Sequence, residues 1–252
     1  MRLFSARVAL PALAAVATLA LNAATLQAQR GGPGYLFQRP DVQITLRGGY
    51  AAARAGSDLF DFATSELTLK RSDFSGITAG LELGIPLTSR LDIVLDAGWA
   101  HARKGSEFRR FVDNKDRPIE QTTTFDRVPL TVNLRYNLVP TGRTVGRLAW
   151  IPSTVVPWIG AGGGAMWYRF EQQGDFVDFK TNAVFPTTYA SSNWAPAGQV
   201  MAGVDLSLSP SLGVSLGGRY LLARGSLQRD FSGFDRIDLS GGSVTAGFLV
   251  RI

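Results

Sequence analysis

The chain has no cysteine, one histidine (His101), four lysines, and no long apolar run beyond its first 28 residues. The missing cysteines exclude a disulfide framework and any thiolate metal site. One histidine excludes a histidine metal cluster. With no apolar run of the roughly 20 residues that a helical span needs, a mature chain that enters a membrane must do so as a closed barrel. Basic residues do not cluster with aromatics, and the net charge of +6, or +4 without Arg2 and Arg7, is modest. Nucleic acid is therefore not an expected partner.

What is present begins with a leader. Arg2 and Arg7 precede an apolar stretch from Val8 to Leu21, and small and polar residues lead on to Leu26-Gln27-Ala28. A charged start, a short apolar centre and a small-residue exit describe a secretory signal peptide, with cleavage expected after Ala28. Residues 29–40 then form a short N-terminal periplasmic segment, and residues 41–252 form one all-β domain. No cysteine stands at the cleavage site to carry a lipid anchor.

Period-two alternation predicts eight strands. The first four span about 41–51 (Val42, Ile44, Leu46, Tyr50 on one face), 75–85 (Ile77, Ala79, Leu81, Leu83), 90–102 (Leu91, Ile93, Leu95, Ala97, Trp99) and 124–137 (Val128, Leu130, Val132, Leu134, Tyr136). The fifth is Val155 to Phe170, where Gly160, Gly162, Gly163 and Gly164 blur the two faces. The sixth and seventh span about 196–208 (Val200, Ala202, Val204, Leu206) and 211–223 (Leu212, Val214, Leu216, Tyr220), and the eighth runs from near Ile237 to the end. Alternate connections are long and polar. Of the other three, two are tight turns, while residues 138–154 are read as an enlarged turn. Short turns at one end and long loops at the other are the asymmetry of an even-stranded up-and-down transmembrane barrel.

Alternation does not say which face points outward, since a soluble lipocalin-like barrel has the same period. Lysine favours the membrane form, with a soluble lipocalin-like binder as the alternative fold: Lys70, Lys104, Lys115 and Lys180 all fall in the expected long loops or at their edges, not on a wetted outer wall. The face opposite the apolar one is Thr, Ser, Gly and Asn with a few charges, which suits a narrow filled lumen. Tyr50, Trp99, Tyr136, Trp158, Trp167, Phe170 and Tyr220 lie at or near strand ends, where rings occupy membrane–water interfaces.

With the apolar face outward, Arg47, Glu82, Asp96, Arg127, Arg135, Asp205, Arg219 and Arg251 point into the lumen. Eight strands enclose just enough space for side chains, so these charges are expected to form a hydrogen-bonded ion-pair network. A permanently filled lumen is the expectation; a network that breaks to pass ions or a small solute is the alternative.

Little suggests catalysis. His101 sits at the outer end of the third strand on the apolar-face set, with no serine two residues on, so it reads as an interfacial histidine. The loop carboxylates Asp58, Asp61, Glu66, Asp73, Asp175, Asp178, Asp230 and Asp235 do not follow calcium-loop spacing. Neither cofactor nor metal is expected. Arg109, Arg110, Arg117, Arg229 and Arg236 share those loops, a mixture able to meet lipopolysaccharide phosphates bridged by cations. Phe176, Phe179, Phe185, Tyr189 and Trp194 make the third loop aromatic, able to cover the barrel mouth or contact an external ligand.

The last strand places Val244, Ala246, Phe248, Val250 and Ile252 on one face, and Thr245 and Gly247 on the other. This pattern resembles the C-terminal signal strand of bacterial outer-membrane barrels, with Thr245, Gly247, Phe248, Val250 and Ile252 as the assembly signal; Ile252 departs from the usual terminal aromatic. Signal peptide, eight strands, long alternate loops and this strand together resemble the small outer-membrane β-barrel family, the OmpA, OmpX and OmpW-like group. The resemblance implies an outer-membrane location in a Gram-negative envelope and a non-enzymatic role in envelope structure, adhesion or defence. A narrow OmpW-like channel for small hydrophobic solutes is the alternative it implies. It also implies contact with outer-membrane lipid and lipopolysaccharide, with periplasmic chaperones and the barrel-assembly machinery during biogenesis, and a monomeric state.

Overall fold

A computed structural model describes residues 31–252, apart from residues 33, 113–115, 148, 179–180 and 182. The expected signal peptide, its cleavage site and the start of the 29–40 segment lie outside the described residues, as do Lys115, Phe179 and Lys180.

Eight long strands make the wall: β1 (Gln43–Ala53), β2 (Gly76–Pro86), β3 (Leu91–Val112), β4 (Pro118–Asn137), β5 (Val155–Val177), β6 (Val184–Ser207), β7 (Leu212–Gly225) and β8 (Gly241–Arg251). Each pairs antiparallel with its chain neighbours, and β8 pairs back onto β1 from Arg251↔Gln43 to Gly241↔Ala53. The sheet is thus a closed eight-stranded up-and-down barrel, and closure removes the open edges that a flat sheet would expose.

The alternation inverts the order of a soluble protein. Along β4, Arg127, Thr131, Asn133, Arg135 and Asn137 are buried, while Leu130, Val132, Leu134 and Tyr136 are exposed. At the extremes, Val244 and Phe248 are 73% and 72% exposed, whereas Asp205 and Arg135 are 2% and 3% exposed. Exposed leucines and valines recur around the whole circumference, at Leu46, Leu95, Val200 and Leu216 among others. An apolar belt of this extent is far larger than the scattered patches a water-soluble monomer tolerates.

The lower end holds the short connections. Residues 87–90 turn with the Leu87 and Thr88 amides donating to the Leu91 carbonyl, and the Ser209 hydroxyl accepts the Leu212 amide in the turn of residues 208–211. The long connection 138–154 contains a small hairpin, Gly142–Val145 against Ala149–Pro152. Leu36 pairs with its Trp150, and Tyr35–Leu36 pairs with Gly31–Gly32, so the N-terminal segment and this turn form a four-stranded patch beneath the barrel.

The upper end differs from expectation. The stretches 103–123 and 171–195, expected as long loops, are continuations of β3–β4 and β5–β6. A 22-residue strand such as β3 runs roughly 70 Å and, tilted by about 40°, rises roughly 50 Å, twice the ~25 Å apolar band of such barrels. Above that band both faces of a strand meet water, so the apolar alternation that marks a strand in the sequence vanishes there. The first long loop is also structured: helix α1 (Asp58–Glu66) and a 3₁₀ turn (Arg71–Phe74) fold inward over the mouth.

Candidate functional site

The interior is layered, and the layers follow from which strand positions face inward. Near the lower end, Asp205 on β6 is the hub. It accepts hydrogen bonds from Arg135 Nη2 (2.9 Å), Trp158 Nε1 (2.9 Å), Ser215 Oγ (2.7 Å) and Gln43 Nε2 (3.3 Å). Arg135 also reaches Asp92 at 3.2 Å, and Asp92 accepts the Asn137 amide at 2.8 Å. Arg251 donates to Ser207 Oγ at 2.9 Å.

The middle layer is a crossed quartet. Arg47 lies 2.9 Å from Glu82 and 2.5 Å from Asp96, while Arg219 contacts the same Glu82 and lies 3.6 Å from Asp96. Gln199 donates to Thr131 Oγ1 (2.8 Å) and Asn133 Oδ1 (2.9 Å), tying the quartet to β4. Burial of such charges is tolerable only when they are paired and hydrogen-bonded. Arg135 and Arg251 balance Asp92 and Asp205 below, and Arg47 and Arg219 balance Glu82 and Asp96 in the middle.

All eight residues expected in the lumen lie inside the barrel. Asp92 was missed, although it sits four residues before Asp96 on the same strand face and its parity alone places it inside. Arg127 is inside too and forms no salt bridge among the described residues, though the Asp238 carboxylate offsets part of its charge; it donates weakly to the Leu239 carbonyl (3.4 Å) and stacks over Phe125.

Above Arg127 the lumen turns apolar. Leu59, Phe60 and Ala63 of α1, with Leu67, Leu69 and Phe74, pack against Phe125, Met166, Tyr168, Phe170, Phe231, Ile237 and Leu239. Phe60 is fully buried, edge-on to Phe74 (4.6 Å), Phe125 (5.6 Å) and Phe170 (5.8 Å). The mouth is closed by a hydrophobic plug rather than by polar loops.

The expected interfacial aromatics need one correction. Tyr50, Trp99, Tyr136 and Tyr220 are exposed on the outer wall, and Trp167 is half-buried there beside Trp194, its partner in register. Trp158 instead points inward and is 1% exposed, with its indole on Asp205 and under the Arg135 guanidinium. The reason is space. Gly203 and Gly217 face its ring, and a Cβ on Gly203 would sit 2.5 Å from Trp158 Cζ2. Glycines on the neighbouring strands make the only kind of room an indole can occupy in so narrow a lumen. Phe170 likewise faces inward, in the plug.

His101 lies on the outer wall, its Nδ1 2.7 Å from Asp126 and its ring stacked on Trp99 at 5.5 Å. The loop carboxylates are engaged in holding the upper end together. Asp58 accepts the Leu59 and Asp235 amides, Asp61 pairs with Arg71, Glu66 with Arg110, Asp73 accepts the Lys70 amide and Asp230 that of Ala190. No group of carboxylates and histidine among the described residues could hold a metal ion. Of the third-loop aromatics, Phe176 and Tyr189 meet edge-on at 4.7 Å, Tyr189 extends to Phe231, and Phe185 is exposed.

The β3–β4 ladder is shifted in register between Glu107 and Val112 and is also interrupted, without a shift, lower in the wall. The β3–β4 ladder runs to Ala97↔Leu130 and resumes at Ala100↔Arg127, skipping the pair of residues on each side that includes Gly98 and Pro129. Proline has no amide proton to give a ladder. On its other side Pro129 stays in register with Met166 of β5. A cavity of about 50 Å³ lies behind this gap, between the charge quartet and the plug.

No family model matches the chain, and no curated protein matches it. Among solved structures it is similar to neisserial surface protein A, 13% identical over 84% of this chain and 97% of that one, with a TM-score of 0.46. It is similar to the outer membrane protein OprG from Pseudomonas aeruginosa (14% identical, 86% and 98% covered, TM-score 0.46) and to Ail, the attachment invasion locus protein of Yersinia pestis (13%, 84% and 99%, TM-score 0.42).

Proposed function

We propose that this chain is a non-enzymatic, multi-pass β-barrel of the outer membrane, with a permanently filled lumen and an envelope-structural or surface-interaction role carried by its upper wall and loops. The supporting observation is the inversion of the barrel: an unbroken apolar belt outside, and five arginines with four carboxylates locked inside. Lipid and lipopolysaccharide cover the belt, Tyr50, Trp99, Trp167 and Tyr220 mark its upper border, and Tyr136 lies toward its lower one. Thr245, Gly247, Phe248, Val250 and Ile252 serve as the signal read by the assembly machinery after chaperone delivery. The barrel works as a monomer, and any external ligand meets the upper loops. His101 is bound to Asp126 and stacked on Trp99 on the outside wall, away from the lumen.

Heat-modifiable migration of the folded protein in detergent gels, followed by planar-bilayer recording on the same preparation, tests the reading. The native barrel is expected to shift on heating and to stay electrically silent. Glu82→Gln removes a carboxylate shared by Arg47 and Arg219 and should produce intermittent conductance. Stable conductance of the native protein, unchanged by Glu82→Gln, would defeat the filled-lumen reading.

A second reading, passage of small apolar solutes, is supported by the ladder gap at Pro129 and the cavity behind it. The cavity's charge argues against it. An apolar solute there would strip water from guanidinium groups without replacing their hydrogen bonds. Liposome uptake of a small hydrocarbon separates the two readings.

A further inference from the structure

The cavity behind Pro129 is lined by three guanidinium groups, Arg47, Arg127 and Arg219, and by no carboxylate. Glu82 and Asp96 neutralise Arg47 and Arg219 from beyond its lining, and the buried Asp238 carboxylate, also outside the lining, offsets part of the charge on Arg127. Arg127 is 6% exposed, and its Nε has no hydrogen-bond partner. Asp238 accepts the Gly56 amide (3.1 Å) and the Ser240 amide (3.0 Å) and lies 3.8 Å from the exposed Arg54, so it lends Arg127 charge but no hydrogen bond. A buried guanidinium with an unpartnered Nε beside an open space, its charge only partly offset, is costly.

The space suits a small guest. It measures about 50 Å³, where a single water needs roughly 10–15 Å³. Gln199 and Ser243 add polar side chains to the lining. Gly241 leaves room for Arg127 Nη1, which would lie 3.1 Å from a Cβ placed there. Water would satisfy the N–H groups but would bring no charge to meet the three guanidinium groups that converge on the space. An anion satisfies both.

We infer that the lumen holds a small monovalent anion of halide size, bound by Arg127 with Arg47 and Arg219 between the charge quartet and the α1 plug. This site is independent of whether the barrel conducts, because its occupant offsets a charge that either reading leaves buried.

The test uses the full folded barrel in detergent at constant ionic strength. Crystals grown in sodium bromide are expected to show an anomalous bromide peak within hydrogen-bonding reach of the Arg127 guanidinium. The unfolding midpoint should lie higher in chloride or bromide than in gluconate, whose anion is too large to enter, because an anion bound only by the folded state stabilises it. Arg127→Gln should abolish that difference, and Arg127→Lys, which keeps the charge, should retain it. Water alone at the site in bromide-grown crystals overturns the inference. So does a halide–gluconate difference that is equal in the native protein and Arg127→Gln. Should Arg127→Gln fail to reach the heat-modifiable form, the bromide peak in the native barrel and the behaviour of Arg127→Lys decide the matter.

Discussion

Asp205→Asn separates a charge-locked interior from one that is merely filled. The substitution keeps the shape of the side chain and one acceptor oxygen, which can still receive the Trp158 indole and the Ser215 hydroxyl at 2.9 and 2.7 Å. The other oxygen becomes an amide NH₂ facing two donors, Arg135 Nη2 at 2.9 Å and Gln43 Nε2 at 3.3 Å. Removing one member of a buried ion pair typically costs about 3–5 kcal/mol, because the survivor is left uncompensated. Arg135 retains Asp92 at 3.2 Å, so the lower end applies: about 3 kcal/mol, or roughly a hundredfold in the folding equilibrium. Urea titration in detergent, followed by tryptophan emission and by gel migration, should show the midpoint falling by about 1–3 M for a slope of about 1–3 kcal/mol/M. The double variant Asp205→Asn with Arg135→Met should not recover the loss, because it strands the buried Asp92 carboxylate that Arg135 holds at 3.2 Å. A single variant within about 0.5 kcal/mol of the native protein, the ordinary range for an inconsequential change, would refute the account of the lumen.

Two further outcomes follow from the same geometry. Phe60→Ala empties the centre of the plug and should cost about 3–5 kcal/mol locally; limited proteolysis should then cut near residues 54–75 while the barrel still migrates as a folded species. In single-tryptophan variants reconstituted with brominated lipid, Trp99 should be quenched and Trp158 should not, and equal quenching of the two would place Trp158 on the wall.

The sequence revealed the strands wherever lipid lies on one side and packed polar groups on the other, because only there do neighbouring residues face opposite chemistries. Leu130, Val132 and Leu134 against Thr131, Asn133 and Arg135 illustrate that contrast. Higher on the same strand, Thr122, Thr123 and Thr124 alternate between half-buried and buried positions without changing residue type, so the stretch reads as loop. Trp158 was misplaced because its face is decided by Gly203 and Gly217 on other strands, a complementarity that no single segment carries. Helix α1 was legible in principle: Leu59, Phe60, Ala63 and Leu67 keep helical spacing, but the acidic residues among them suggested a solvated loop. Arg127 could be placed inside by parity, whereas the approach of Asp238, which offsets part of its charge, depends on how the upper loop folds.

The unequal heights of the strands bear on what reaches the cell surface. β3, β4, β5 and β6 have 20–24 residues, while β1, β2, β7 and β8 have 11–14. The tall half forms a palisade, and the short half leaves an open flank beside α1. The upper ends of β3 at Val112, β4 at Pro118, β5 at Val177 and β6 at Val184 therefore stand highest above the apolar belt. Helix α1 is approached from the side that β1, β2, β7 and β8 leave low.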